Sequence, residues 1–366
     1  MLRDTVRQFV GDRILPEVGA WFDAGTFPRE MAKEFGALGL LGMHLDGSGC
    51  AGTSATAYGL ACTELEAGDS GARSFVSVQG SLAMFPIHAF GSEEQKQEWL
   101  PDLCSGRKLG AFGLTEPEAG SDAGNTKTTA KLDGDELVIN GSKQFITNSG
   151  TDISGCVTST AVTGDGEISN LLVPNGTPGY TQGEPYRKMG WNASDTRPLT
   201  FEDCRVPEAN LLGARGEGLR QCLKALDGGR ISVSAMGVGL AQGALDEAIA
   251  YAKERQAFGG PISRFQAIQA KIADLSSQIE AARLLVYRAA DLKDRGEDFT
   301  LTAAQAKLIT GRLAVRATEE AVQIHGGYGY IEEYPVCRFY RDAKVLTIGE
   351  GTDEIQHMVI ARQLGC

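Results

Sequence analysis

The chain has only four histidines, at 44, 88, 325 and 357. None stands in an H-E-x-x-H or Cys/His spacing, so no zinc ligand set is formed and no metal is expected; His44 and His88 read as locally satisfied residues. Its eight cysteines (50, 62, 104, 156, 204, 222, 337 and 366) are scattered without a C-x-x-C pair, which fits reduced thiols in the cytoplasm better than a disulfide framework. Positive charge is in deficit, with 35 Lys and Arg against 47 Asp and Glu and a net charge of −12. Without a basic run, neither nucleic acid nor an anionic membrane is expected as the main partner. No apolar run reaches the roughly 18–20 residues of a transmembrane helix. The opening Met1-Leu2-Arg3-Asp4-Thr5-Val6-Arg7 carries charge where a signal peptide needs an apolar segment. A G-x-S-x-G elbow and a P-loop are also missing. What is present is 366 residues, 42% of them hydrophobic, enough for a sizeable core in two or three domains. The expectation is a soluble cytoplasmic protein.

Hydrophobic spacing divides the chain into three stretches, an α+β multidomain pattern. Residues 1–107 read as an N-terminal α-helical domain. Leu2, Val6, Phe9, Val10 and Ile14 lie three or four apart, one stripe of a helix that Pro16 ends. Pro28 opens a second helix with Met31, Phe35 and Leu38 on its buried face. Ser92-Glu93-Glu94-Gln95 has the form of a capping box, and its helix is expected to stop at Pro101. Residues 108–212 read as a middle β-domain. Leu132-Asp133-Gly134-Asp135-Glu136-Leu137 predicts a hairpin, Asn140-Gly141 a further tight turn, and short apolar runs recur at 171–173 and 199–201. In residues 213–366 the helical period returns, with Leu219 to Ile249, Ile262 to Leu292, Leu301 to Ile324 and a last helix after Asp353, a C-terminal four-helix bundle.

Three segments do not look like packing. Phe112 to Asp122 (FGLTEPEAGSD) offers hydroxyls and backbone N–H groups to a polar ligand, although an ordinary Pro/Gly loop has the same composition. Gln323-Ile324-His325-Gly326-Gly327-Tyr328-Gly329-Tyr330 places glycines after a helix, where they either cap it or let backbone approach a phosphate. It is not a G-x-G-x-x-G after a strand, so it is no dinucleotide fingerprint of that kind. In Gly349-Glu350-Gly351-Thr352 a glutamate between glycines has room to turn toward a substrate, or is a solvated turn acid.

Taken together, TEPEAGSD (115–122), FITN (145–148), RQAFG (255–259), QIHGGYG (323–329), RDAK (341–344) and EGTDEIQ (350–356) resemble the acyl-CoA dehydrogenase family, in order and in register over almost the whole chain. The resemblance implies noncovalent FAD, a homotetramer or homodimer, and an electron-transfer flavoprotein as acceptor. It implies that Leu114, Thr115, Ser121, Ile146 and Thr147 meet the flavin end of FAD. Arg255, Phe258, Gln266, Gln323 and Gly327 would hold its pyrophosphate and adenosine, partly across a subunit boundary, with Thr352 and Glu354 completing the set. Ser121, Asp227, Arg230 and Gly351 would touch the acyl thioester and its pantetheine arm. Glu350 matches the catalytic base. Some relatives carry the base just before the arginine here numbered 230, but this chain has Gly229 there.

For the acyl end, residues 49–87 look like glutaryl-CoA dehydrogenases, in which the arginine matching Arg73 pairs with a distal substrate carboxylate, supported by positions matching Glu66, Ser74 and Ser77. Arginine suits that task because its planar fork donates two parallel hydrogen bonds. Arg73 is equally placed to pair with Glu66 or Asp69 on neighbouring turns. Glutaryl enzymes carry tyrosine where this chain has Gly349, a departure that weighs against oxidative decarboxylation and leaves it open, while dehydrogenation stays implied by the resemblance. Similar Arg-Ser motifs occur in acyl-ACP dehydrogenases. The reading is therefore FAD-dependent α,β-dehydrogenation of a short acyl-CoA, carboxylated at its far end if Arg73 is free. The alternatives are an acyl-ACP substrate and a flavin-free scaffold of the same fold.

Overall fold

The computed structural model describes residues 1–366. Seven helices come first: α1 (Leu2–Phe9), α2 (Val18–Ala24), α3 (Glu30–Ala37), α4 (Ala55–Gly68), α5 (Ser70–Ser77), α6 (Phe85–Phe90) and α7 (Glu93–Cys104). The predicted first stripe is continuous, but its second half, Val10–Ile14, is wound as a π-helix. A second π-helical stretch, Val78–Met84, joins α5 to α6. The capping box forms as expected: Gln95 N–H donates to Ser92 Oγ at 3.2 Å and Ser92 N–H to Gln95 Oε1 at 2.9 Å. Against expectation, α7 does not stop at Pro101 but runs to Cys104. A proline removes one donor from a helix, and here the buried Leu100, Leu103 and Cys104 pin the last turn to the core regardless.

Seven strands follow: β1 (Leu109–Gly113), β2 (Thr129–Asp133), β3 (Glu136–Thr147), β4 (Ser154–Gly164), β5 (Glu167–Pro174), β6 (Tyr180–Gln182) and β7 (Thr196–Pro207). They form one sheet in the order β1-β4-β2-β3-β7-β6, with β5 on β4. The predicted hairpin closes with Asp133 opposite Glu136. Asn140-Gly141 is not a turn. β3 passes straight through it, with register shifts at Ile139/Gly141 and Lys143/Ile146. Such bulges re-aim side chains: Phe145 takes φ +62° and projects outward while Ile146 stays buried. The core between the strands is built from alternate residues, among them Leu137, Ile139, Val157, Leu171, Val173, Leu199 and Phe201.

The remaining chain is helical: α8 (Gly218–Glu254), the short hairpin β8 (Gln256–Ala257) and β9 (Gly260–Pro261), α9 (Gln266–Asp294), α10 (Thr300–His325), α11 (Pro335–Ala343) and α12 (Asp353–Gln363). The sequence reading starts α9 at Ile262, but Pro261 and a 3₁₀ turn at Ile262–Arg264 delay it to Gln266. It also overlooks α11, which Pro335 opens at the first turn and which buries Val336, Phe339 and Ala343 on one face. α8 is the axis of the molecule. At Gly239 and Gly243 a Cβ would fall 2.4 Å from Thr63 O and 2.6 Å from Ala67 O. Only glycine lets α8 close on α4 to that distance, and this closure carries the α4–α5 corner toward the N-terminal half of α8. No helix is long and apolar enough to cross a membrane.

Candidate active site

Glu350 lies in the turn before α12. Its φ is +53° and that of Gly351 is +93°; for the glutamate such a backbone costs of the order of 1–3 kcal/mol and persists only where the surroundings enforce it. Three contacts do so. Lys307 Nζ donates to Gly351 O at 2.7 Å, Gln356 Nε2 donates to the same carbonyl at 2.9 Å, and Thr352 Oγ1 caps α12 by accepting from Ile355 N–H at 3.3 Å. The kink turns the side chain inward. The residue as a whole is half-buried, yet Oε2 is sealed from solvent and has no hydrogen-bond partner. It presses on α8 at Gly229, where a Cβ would stand 2.3 Å from it, and Leu82 Cδ2 lies 3.6 Å from that same point. Burial pushes the Glu350 carboxyl up to about 7, against the opposing charges of Arg73, Arg230 and Lys307.

The glycine at 229 is thus not merely an absent base; it is the space into which Glu350 fits. Gly229→Ala is expected to push the Glu350 carboxylate off α8 and to lower the melting temperature, since overpacking a close contact costs about 1–3 kcal/mol. Thermal unfolding of the purified variant against wild type measures it.

Arg73 is fully buried on α5 and pairs with Glu66. Its Nε donates to Glu66 Oε2 at 2.9 Å, and Ser70 Oγ donates to Glu66 Oε1 at 2.6 Å. Asp69 is engaged elsewhere, accepting from Ala72 N–H at 2.8 Å as the cap of α5 and facing Arg338 at 3.6 Å. Arg73 Nη1, however, is buried without a partner, and so is Ser74 Oγ beside it. Ser77 is buried on the same helix. The Trp191 ring covers the guanidinium at 5.6 Å. A buried donor left unpaired costs about 1–3 kcal/mol, so neither group is accounted for by the protein's own hydrogen bonding. On α8, Arg230 is ion-paired with Asp227, and its Nε is likewise buried and unpartnered.

In the β-domain, the loop after β1 carries Leu114, Thr115 and Ser121, and the end of β3 carries Ile146 and Thr147. The two are stitched together: Gln144 N–H donates to Thr115 O at 2.8 Å, and the buried Lys143 reaches Glu116 Oε1 at 2.7 Å and Thr160 Oγ1 at 2.9 Å. Glu116 in turn accepts from the N–H groups of Lys127 and Thr128 at 2.6 and 3.1 Å. This buried pair gives the loop one shape. Leu114 and Ile146 are buried, Thr115 and Thr147 half-buried, and Ser121 exposed.

A second cluster stands apart on the helical bundle. Arg255 and Gly327 line a groove of about 520 Å³ with Tyr251, Ile262 and Tyr328. Arg255 stacks on Tyr328 at 5.5 Å, with no carboxylate within 4.0 Å to pair with. Phe258 sits at φ +50° in the β8–β9 turn and is 90% exposed; Gln266 and Gln323 are also exposed, and none of the three lines that groove. Glu354 is exposed in the first turn of α12. The structure therefore gathers Glu350, Arg73, Arg230, Asp227 and Gly351 around the buried centre and leaves the bundle cluster open to the surface. Sequence reasoning passes over Lys307, Gln356, Lys143 and Trp191. Lys307 leaves a trace: it interrupts a buried face formed by Ala303, Ala306, Thr310 and Ala314.

A helical domain, a seven-stranded sheet and a helical bundle define a three-domain class of scaffold. The chain belongs to the acyl-CoA dehydrogenase family: residues 1–107 match its N-terminal domain, 111–204 its middle domain and 216–365 its C-terminal domain. It is 50% identical to the probable acyl-CoA dehydrogenase YngJ of Bacillus subtilis over 100% of this chain and 97% of that protein. Butyryl-CoA dehydrogenase from Megasphaera elsdenii superposes with a TM-score of 0.96 at 42% identity, covering 100% of this chain and 97% of the other. A glutaryl-CoA dehydrogenase from Mycobacterium smegmatis, solved in complex with FADH2, does so with 0.96 at 42%, covering 99% and 93%.

Proposed function

We propose that the protein oxidises a short acyl-CoA to its α,β-unsaturated thioester, with Glu350 as the base and FAD as the cofactor. The observation that carries this is the sealed, unpartnered Glu350 Oε2 held inward against Gly229. The α-proton of a thioester is only weakly acidic, and a carboxylate in water is too weak a base for it. Burial that lifts Glu350 to about 7 makes it a stronger base that is still substantially ionised at neutral pH. Oε2 takes the α-proton, and Arg73, Arg230 and Lys307 keep the carboxylate from losing its charge to desolvation altogether. FAD, when bound, would supply the acceptor for the hydride lost from Cβ.

The residues present suit FAD. Leu114, Thr115, Ser121, Ile146 and Thr147 form the rigid polar-and-apolar edge for the flavin end. Arg255, free of any carboxylate and set beside Gly326-Gly327, suits a pyrophosphate, with Phe258, Gln266, Gln323, Thr352 and Glu354 taking the rest across a subunit boundary in a dimer or tetramer. Asp227, Arg230, Ser121 and Gly351 position the thioester and its pantetheine arm. Arg73, with Glu66, Ser74 and Ser77, receives a carboxylate at the far end of the acyl chain. Electrons pass on to an electron-transfer flavoprotein.

Anaerobic addition of butyryl-CoA or glutaryl-CoA to the FAD-loaded protein tests the reaction. Bleaching of the yellow absorbance is expected. Unchanged absorbance with every short-chain thioester in a panel overturns the reading.

A further inference from the structure

We propose that Lys307 is the positioning residue of the base: its ammonium locks the Glu350–Gly351 kink and brings positive charge to the turn that carries the carboxylate. The inference rests on Glu350 being the base.

Lys307 is fully buried in the middle of α10, on a face otherwise made of alanine and threonine. An ammonium so placed carries an effective desolvation penalty of several kcal/mol unless compensated. Its compensation is unusual. It makes a single hydrogen bond, to Gly351 O at 2.7 Å, and has no carboxylate within ion-pair distance. That carbonyl is already satisfied by Gln356 Nε2 at 2.9 Å, so hydrogen bonding alone does not account for the lysine. A neutral donor or an apolar side chain would complete the packing at lower cost. What lysine adds is charge.

The charges facing it are those of Asp353 and Glu354 from α12 and of Glu350, with Arg230 of α8 opposing them. Asp353 is paired with Arg312 through Oδ2 at 2.9 Å with its Oδ1 unpartnered, Glu354 is exposed, and Glu350 has no side-chain partner of its own. Toward Glu350 the positive groups are Arg73 from α5, Arg230 from α8 and Lys307 from α10. Arg73 is already bonded to Glu66 and Arg230 to Asp227. Lys307 alone of the three has no other carboxylate, and it alone is bonded to the turn that carries the base. Burial lowers its own pKa to about 8, so near neutral pH it still carries the charge that Glu350 needs. Geometry and charge act together: releasing Gly351 O from the ammonium frees a left-handed pair to relax, and removing the charge leaves the desolvation of Glu350 less opposed.

The test compares FAD-loaded Lys307→Met and Lys307→Arg with wild type in stopped-flow flavin reduction between pH 6 and 10. An infrared titration of the protonated carboxyl band that Glu350→Gln removes reads the same group without turnover. In Lys307→Met both midpoints are expected to rise, since a lost favourable charge stabilises the neutral acid. Reduction then slows at least about twofold at pH 7 and recovers toward pH 9. Lys307→Arg, which keeps the charge, is expected to restore the midpoint to within a few tenths of a unit. A pH profile in Lys307→Met that superposes on wild type overturns the proposal, as does loss of folded protein in both variants, which assigns the lysine to packing. If Glu350→Gln itself still reduces flavin normally, the base assignment fails instead, and the two failures are told apart.

Discussion

Glu350→Gln is expected to fold, bind FAD and stay yellow when thioester is added without oxygen, with flavin reduction slowed roughly 10²–10⁴-fold, the usual worth of a positioned general base. The amide is isosteric, so the kink held by Lys307, Gln356 and Thr352 and the contact at Gly229 persist, and only the proton acceptor is gone. Substrate binding is expected to change little, which separates this outcome from a misfolded site. The wild-type pH dependence follows from the same group. Its folded pKa is raised from 4.5 to about 7, so kcat/KM is expected to rise with pH through about 7 as the carboxylate loses its proton. Stability runs the other way: between about 4.5 and 7 the folded state holds a proton that the unfolded chain has released, so stability from this group is lost as pH rises through that window. Normal bleaching in Glu350→Gln would remove the residue from the chemistry. A flat kcat/KM between pH 6 and 8 would contradict its environment.

The helices were legible in the sequence where their buried faces kept the 3.6-residue period over several turns, as in α8, α9 and α10. Errors fell where tertiary contacts overrode a local signal. Pro101 failed to stop α7 because Leu103 and Cys104 anchor the turn beyond it. Asn140-Gly141 failed to turn because β3 is paired on both sides, with β2 and with β7. Within the site, the motif residues stand out by their glycines and charges, but the groups that position them do not. Lys307 and Lys143 belong to helix and strand faces that look like packing, and their partners, Gly351 O and Glu116 Oε1, lie 44 and 27 residues away in sequence. Gly229 carried only half its meaning in sequence. That it cannot be a base is evident from composition, whereas that its missing Cβ houses Glu350 Oε2 requires the turn before α12 to be docked on α8. Trp191 over Arg73 is a contact between the β-domain and α5 that no local pattern announces.

Replacing Arg73 is expected to split substrates by what stands at the far end of the acyl chain. For glutaryl-CoA, kcat/KM should fall roughly 10²–10³-fold in Arg73→Met, since truncating one partner of a buried, hydrogen-bonded charge pair costs about 2–5 kcal/mol; for butyryl-CoA the loss should stay below about tenfold. Two other consequences of the substitution have to be separated from this one. Arg73 also opposes the burial of Glu350, so its removal lifts the base above 7 and slows every substrate at neutral pH; measurement at pH 9, where the carboxylate is ionised in both proteins, removes that common factor. The second consequence is structural. Glu66 is left buried with only Ser70 Oγ at 2.6 Å, and an orphaned partner of a buried ion pair destabilises by about 3–5 kcal/mol, visible as a lower Tm. Adding Glu66→Gln neutralises the orphan without restoring the guanidinium. The double variant should therefore regain stability and butyryl-CoA turnover while remaining poor with glutaryl-CoA. Equal losses for both thioesters at pH 9, in the single and the double variant alike, would show that Nη1 and Ser74 Oγ meet no substrate carboxylate and that Arg73 serves only to hold Glu66 and to tune Glu350.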